Sequence, residues 1–436
     1  MEKNFLEQGY DEFILGHDPQ CVISTDCCET QLNNNIMVVG GSGSGKTTSV
    51  MNPILLHLQH SNAIGVFTKK GMMDEAARVL KKRGYNVCVI DFVEPKSSSF
   101  GYDPLLHCQN DRDYKALAHS VIHAGGKSLI NADSFWEDSA ENVLEAVLRL
   151  VGSGHYAGGH SMQEALYLLE RIHDLSDDCS DWDALDAEER EKAEQEYPLH
   201  AAFEKIKAVD PVGYDTWKSL LCMAMNTGSG ILASLKTPLQ NLFNTDIRKV
   251  LKQKKQFDFN ALTKPKTILF VYISPVNMVH HRFISIFYEQ AFKNLFEIAE
   301  KMPNHCLPYP VHVLCDDFAT GCKIPDFTNL ISIFREKRIS VTMLLQSETQ
   351  LESMYGKMEA KTIINNCDTY LYLGGMDLDT IQQIAKRIDK PYAEVQNMPV
   401  GQEYFFRRGQ KPIVTKRYNL FDDPIYLKEI AGRART

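Results

Sequence analysis

The sequence predicts an α/β fold, a mostly parallel sheet flanked by helices and interrupted by an all-α insertion. Three observations predict it. Ile36–Val39 is a short apolar strand that runs into a glycine-rich turn and a helical start. Residues 36–91 then read strand–helix–strand–helix–strand, an alternation that implies parallel pairing with helices on both faces. Residues 110–245 contain no convincing strand, and strand character returns at 267–274 as a continuous apolar run, the pattern of a strand covered on both sides.

Ahead of the first core strand, Phe13-Ile14-Leu15 and Cys21-Val22-Ile23 read as short strands separated by a Gly-His-Asp-Pro turn. The segment 49–60 continues as a helix after the glycine-rich turn, its first turns made irregular by Pro53. A strand at 63–68 ends in Lys69-Lys70-Gly71. Met73, Ala76, Ala77 and Leu80 then share one face of a helix over 72–83, and Asn86–Asp91 is the next strand. Beyond Asp103-Pro104-Leu105 come amphipathic stretches at 112–124, 135–152, 161–174, 200–208 and 214–242. The second carries Phe135, Val143, Ala146, Val147 and Leu150 as its stripe. The acidic run 177–196 reads as a solvated surface, with a basic partner as the sharper alternative. After 267–274 the sequence predicts a helix over 279–300, a strand at Val311–Cys315, a helix over 326–336, a strand at 340–345 and a helix from Ser347. A strand at 369–373, a helix over 377–388 and two terminal strands near 403–407 and 413–418 complete it. The expected division is 1–108 and 246–436 for the α/β domain, with 109–245 inserted.

Composition narrows the function classes. The 436 residues are 44% hydrophobic and 24% charged, as expected of a globular chain. The net charge of −9 excludes a generally basic nucleic-acid binder, so any such contact needs a local patch or pore lining. Eleven cysteines, an odd number without a CxxC pair, suggest a reduced, cytosolic protein. Cys306, His312, Cys315 and Cys322 match no zinc spacing. No run reaches the ~18 apolar residues that span a bilayer, and the first fifteen residues are mixed and acidic, unlike a signal peptide.

The chemistry concentrates in two places. Gly40, Gly41, Ser42, Gly43, Ser44, Gly45, Lys46 and Thr47 form the phosphate-binding loop pattern, a glycine, four residues, then Gly-Lys-Thr. Glycine allows the backbone to turn its N–H groups inward around a phosphate, and the following helix aims its positive dipole end at it. Lys46 is expected on the β- and γ-phosphates, Thr47 on Mg²⁺, and Thr48 beside them in the nucleotide site. Val311–Cys315 then runs into Asp316 and Asp317, a strand ending in acid. Asp316 is expected to hold Mg²⁺ and Asp317 to orient or deprotonate the attacking water. Gln346, at the tip of the next strand, can touch both the γ-phosphate and that water. Arg335 and Arg338 end the intervening helix, where an arginine can reach a neighbouring subunit's nucleotide.

These residues stand among others that resemble a known family. The run Asp317-Phe318-Ala319, then Ile324-Pro325-Asp326-Phe327, residues 335–340, Gln346-Ser347, Gln350-Leu351, Tyr355-Gly356 and Asn366-Cys367-Asp368 resembles the type IV coupling proteins of conjugation, the TraG/TraD-like ATPases. Residues 33–47, Lys70-Gly71, Asp103-Pro104-Leu105 and Phe135-Trp136-Glu137 look like further blocks in the same order, and the likeness spans roughly 13–420. It implies a RecA-like P-loop NTPase core with an inserted all-α domain. It further implies ATP and Mg²⁺ as cofactors and a ring hexamer at the cytoplasmic face of the bacterial plasma membrane, held there through a partner or an anchor. The implied work is recruitment of a relaxase-bound single strand of DNA and its delivery to the secretion channel proteins. By position, Lys46, Thr47, Asp316, Asp317 and Gln346 carry the family's roles, with Arg335 as the arginine finger. Lys252, Lys254 and Lys255 are candidate DNA contacts.

Three features depart from the family. Asp317 stands where the family usually has Glu, so its carboxylate is one methylene shorter and stops ~1 Å short, enough to slow turnover. Thr68 stands where an aspartate is common, and the usual N-terminal membrane helices are not in the sequence. Two other readings share the core: a nucleotide-binding adaptor that recruits protein cargo with slow hydrolysis, and an FtsK/HerA-like translocase, against which the inserted helices argue.

Overall fold

The computed structural model describes residues 9–124, 134–154, 156, 158–172, 184–221 and 225–433. The parts of the acidic run at 177–183 and of the expected helices at 173–174 and 222–224 lie outside these. The chain divides into two compact units, one of 1–99, 257–281 and 291–436, the other of 100–256 and 282–290.

The first unit opens with a hairpin, β1 (Glu12–Ile14) against β2 (Val22–Ser24), and a short helix, α1 (Cys27–Thr30). Then come β3 (Ile36–Val39) and a helix that starts as a π turn over Thr47–Met51 and continues as α2 (Asn52–His57). The irregularity expected from Pro53 takes this form: proline has no N–H to return to the preceding turn, and π turns recur at functional sites. β4 (Asn62–Phe67), α3 (Lys70–Lys82) and β5 (Asn86–Asp91) follow. Lys70 is held by Asp91 at 3.0 Å and Glu94 at 2.7 Å, which fixes the start of α3 to the end of β5.

Among its described residues the second unit consists of helices and loops, with one isolated bridge between Gly101 and Gln256. It contains α4 (Asp111–Ala124), α5 (Ser134–Gly152), α6 (Met162–Glu170), α7 (Ala187–Glu196), α8 (Pro198–Ile206), α9 (Pro211–Leu221), α10 (Met225–Leu242) and α11 (Thr245–Leu251). α11 has too few residues to show a period and was not expected. α7 buries none of its residues, which fits the solvated-surface reading of the acidic run. Asp103, buried, accepts from the backbone N–H of Leu105 and of Met162, so that family block caps one helix and ties down another. Lys252, Lys254 and Lys255 are exposed, and Lys255 lies 4.1 Å from the Phe100 ring centre.

The chain then returns to the first unit with β6 (Thr267–Tyr272). α12 (Met278–Lys301) follows, its stretch 282–290 counting with the second unit. Next are β7 (Val311–Cys315), α13 (Phe327–Lys337) and β8 (Ile339–Leu345). The helix expected from Ser347 is two helices, α14 (Glu348–Tyr355) and α15 (Lys357–Asn365). Gly356, at φ +81°, breaks the path between them. β9 (Thr369–Tyr372), α16 (Leu378–Ile388), α17 (Tyr392–Gln396), β10 (Gln402–Arg407), β11 (Ile413–Lys416) and α18 (Pro424–Glu429) close the chain.

Nine strands form one sheet in the order β11-β10-β9-β3-β8-β7-β4-β6-β5. Every pairing from β9 to β5 is parallel, and the β10–β11 hairpin adds antiparallel to β9. β3, β4 and β5 are not neighbours, because later strands slot between them. All four residues of β3 are fully buried, as its unbroken apolar run requires. Polar side chains set the entering ends of strands. Asn35 accepts from Val341 N–H and donates to Asn366 O, and Asn33 N–H donates to Asp368. Asn62 donates to Leu262 O and Lys264 O, each at 2.8 Å, and accepts from Thr267 N–H at 2.7 Å.

Asn62→Ala leaves two carbonyls and one N–H of a buried site without partners. It is expected to destabilise the fold by roughly 3 kcal/mol, read as a lower urea midpoint.

Candidate nucleotide-binding site

β3, β8 and β7 run parallel, and their register fixes what meets at their exit ends. Val39 pairs with Leu345, and Cys315 with Met343. The ladder runs on from Gly40 N–H to Leu345 O at 3.0 Å and from Asp316 N–H to Val66 O at 3.3 Å. Gly40, Gln346 and the Asp316–Asp317 pair therefore lie along one edge, although β3 and β7 do not touch.

The glycine loop closes over that edge. Gly43 and Gly45 sit at φ +74° and +86°, where a side chain is strained. A Cβ on Gly40 would lie 2.5 Å from the Ser44 hydroxyl. That hydroxyl is shielded and has no hydrogen-bond partner, an open polar group inside the loop. Lys46 is buried and donates to Gly40 O at 2.6 Å and Gly41 O at 3.2 Å. Burial lowers its pKa, while Asp317 and Asp316 pull the other way.

Thr47 Oγ1 lies 3.3 Å from Asp316 Oδ1, both groups buried. The second oxygen of Asp316 accepts from Thr68 Oγ1 at 2.7 Å. Thr68 thus aims Asp316 at Thr47. An all-oxygen pair of one hydroxyl and one carboxylate suits Mg²⁺, which takes one or two protein oxygens and keeps its remaining places for phosphate and water. Asp317 follows in the left-handed region at φ 51°, which turns the chain out of β7. Burial, then the charge of Asp316, raises its pKa, with Lys46, His281 and Lys69 opposing. His281 is buried and its pKa is lowered by desolvation, with Asp317 and Asp316 among the groups that raise it. Thr48 donates to Gly45 O at 3.0 Å, closing the first helical turn.

Gln346 is exposed at the tip of β8, between the loop and the acidic pair in strand order. Arg335 lies elsewhere. It ends α13 just before β8 begins and donates to Cys27 O at 3.2 Å, at the entering edge of the sheet. It is remote from its own chain's loop, so a finger role for it would need a second copy.

The same fold occurs among known proteins. Residues 11–391 match the family described as type IV secretory system conjugative DNA transfer. The chain belongs to that family. Among solved structures, the chain is similar to the plasmid coupling protein TrwB in complex with the non-hydrolysable ATP analogue ADPNP. The TM-score is 0.63 at 16% identity, covering 90% of this chain and 87% of that one. It is also similar to TrwB in complex with ADP and Mg²⁺ (TM-score 0.62, 15% identity, 88% and 85% covered). A third likeness is VirB4 of Thermoanaerobacter pseudethanolicus (TM-score 0.55, 12% identity, 93% and 96% covered). No curated protein sequence matches significantly. The fold is thus the expected one, an α/β RecA-like core. No helix among the described residues is long and apolar enough to cross a membrane.

One contact escaped the sequence reading. Arg417, just past β11 and beyond the matched range, donates to Ser44 O of the loop, to Leu373 O at the end of β9 and to Gln402 O. Gly374 O accepts from Gly41 N–H at 2.8 Å, so the loop is gripped from the β9 side at two points. Glu403, fully buried on β10 with neither carboxylate oxygen hydrogen-bonded, is pushed up to about 9 by desolvation, Arg417 partly offsetting it. Sequence carries little signal for either: Arg417 follows Lys416 just past β11, and Glu403 is one of two charged residues in β10.

Arg417→Ala should weaken nucleotide binding about tenfold with a smaller loss for Arg417→Lys, measured by titration with a fluorescent ATP analogue. The folded Glu403 keeps its proton up to about 9, while the unfolded chain releases it near 4.5. Its contribution to stability is therefore complete below 4.5 and lost as pH rises to about 9. Glu403→Gln should remove that decline, read as a flatter curve of Tm against pH across the window.

Proposed function

We propose that this chain is the ATP-hydrolysing coupling protein of a conjugation system. It would recruit a relaxase-bound DNA strand and drive it into the secretion channel as a ring, a homo-hexamer by the family's pattern. The observation that carries this reading is the 3.3 Å approach of Thr47 to Asp316 from strands that do not touch. It joins the two halves of a triphosphate site. Family membership supplies DNA transfer as the process, and the ADPNP and Mg²⁺ complexes of TrwB support ATP and Mg²⁺ as its ligands.

Each residue has a task in this reading. The loop N–H groups and the N-terminus of the helix begun at Thr47 bind the phosphates. Lys46 leaves the carbonyls of Gly40 and Gly41 for the β- and γ-phosphate oxygens. Thr47 and Asp316 would hold Mg²⁺, which supplies charge neutralisation to the leaving phosphate. Asp317 accepts the proton of the attacking water or orients it, and Gln346 reports the γ-phosphate. Arg335 of a neighbouring copy stabilises transition-state charge. Lys252, Lys254 and Lys255 offer sequence-independent phosphate contacts to the strand. The protein would work at the cytoplasmic face of the bacterial plasma membrane, tethered through a partner or an anchor.

Steady-state ATPase with and without single-stranded DNA tests this. The motor predicts DNA-stimulated turnover that Lys46→Ala lowers at least ~100-fold. Tight ATP binding without stimulated turnover would instead assign the chain to cargo adaptation. Asp317 must be ionised to take a proton, and its pKa is raised. The acid limb of kcat should therefore fall at a higher pH than an ordinary aspartate gives, and Asp317→Asn should abolish that limb along with most of the rate.

A further inference from the structure

Outside the nucleotide site, the helical unit holds a set of groups that neither the loop nor the acidic pair uses. His119 and His123 stand one turn apart on α4, on one face. Their rings are 4.0 Å apart, tilted by 33°. Glu141 on α5 reaches both. Its Oε1 lies 3.1 Å from His119 Nδ1 and 3.4 Å from His123 Nδ1, and Oε2 lies 3.2 Å from His119 Nδ1. One donor atom from each residue fits within 4.8 Å of the other two. The carboxylate is the most shielded of the three, its side chain 15% exposed against 48% and 43% for the imidazoles.

The spacing suits a metal. Zinc–nitrogen and zinc–oxygen bonds of about 2.0–2.1 Å in a tetrahedron set neighbouring donors about 3.3 Å apart. The two Oε1–Nδ1 distances bracket that value. An ion pair alone accounts for less of the arrangement. One carboxylate oxygen faces two ring nitrogens, and His123 Nδ1 also lies 3.0 Å from His119 O, a contact this nitrogen would give up to bind an ion. Two imidazolium rings at this separation would repel each other, whereas a single divalent cation satisfies both rings and the carboxylate.

We propose that His119, His123 and Glu141 form a binding site for a zinc-like divalent transition ion that clips α4 to α5, with a fourth position open to water. The set has two nitrogens and one oxygen, a composition common to zinc sites with an open place and poorly suited to Mg²⁺. Glu289 and Asp138 add negative charge near His119, a field that favours a bound cation.

The test uses the full chain with excess Mg²⁺ and ADP added to fill the phosphate-loop site. Zn²⁺ is titrated by calorimetry and Co²⁺ by absorption, on the native chain, on the His119→Ala/His123→Ala pair and on Glu141→Gln. The expected result is one ion per native chain and a higher Tm with Zn²⁺. Affinity should fall in each variant by more than the ~10–100-fold typical of outer-shell changes. Glu141→Gln keeps the side chain's shape and carries the test if the histidine pair misfolds, with circular dichroism as the check. Three outcomes overturn the site: no ion bound, undiminished affinity in the variants, or a thiolate-to-cobalt charge-transfer band that moves the ion to cysteines.

Discussion

β8 is the spacer on which the site depends. The glycine loop leaves β3 and the acidic pair leaves β7, and these strands share no hydrogen bond. Parallel pairing of each with β8 sets both their separation and their level. Val39 stands opposite Leu345 and Cys315 opposite Met343, so Thr47 and Asp316 arrive 3.3 Å apart. A slip of one residue in either pairing would reverse every side chain of a strand buried on both faces. The apolar core and the nucleotide site are therefore held by the same register.

The polar residues of the family blocks divide into two kinds. Asn33, Asn35 and Asp368 work at the entering edge, where they fasten the starts of β3, β8 and β9 to one another. Lys46, Thr47, Asp316 and Gln346 stand at the exit edge, where chemistry is possible. Thr68 belongs with the second kind through its hydrogen bond to Asp316. An aspartate at 68 would face Asp316 as a like charge, whereas Thr68 donates to it and leaves Asp316 with one oxygen for Thr47.

The antiparallel β10–β11 hairpin adds a constraint from outside the parallel core. Arg417 ties the loop at Ser44 to the end of β9, and the buried Glu403 faces that arginine without a hydrogen bond. A phosphate loop must present its N–H groups in one geometry to bind tightly, and ordering it beforehand lowers the entropy lost on binding. Arg417, just past the hairpin, thus supports the loop from the β9 side.

Much of this was legible in the sequence because it is local. Period and apolar runs placed all nine strands of the sheet, and the glycine spacing of residues 40–47 marked the loop, since both patterns depend on neighbours along the chain. The break at Gly356, the helix α11 and the π form of the turn at Thr47–Met51 were less readable, because short segments take their shape from packing. What the sequence by itself determined is the alternation of elements, the phosphate loop and the acid at the end of a strand. Tertiary structure alone decided strand order, and with it the meeting of Thr47 with Asp316, the distance of Arg335 from its own chain's loop and the grip of Arg417 on Ser44. These contacts join residues some 269 and 373 positions apart, which no period can report.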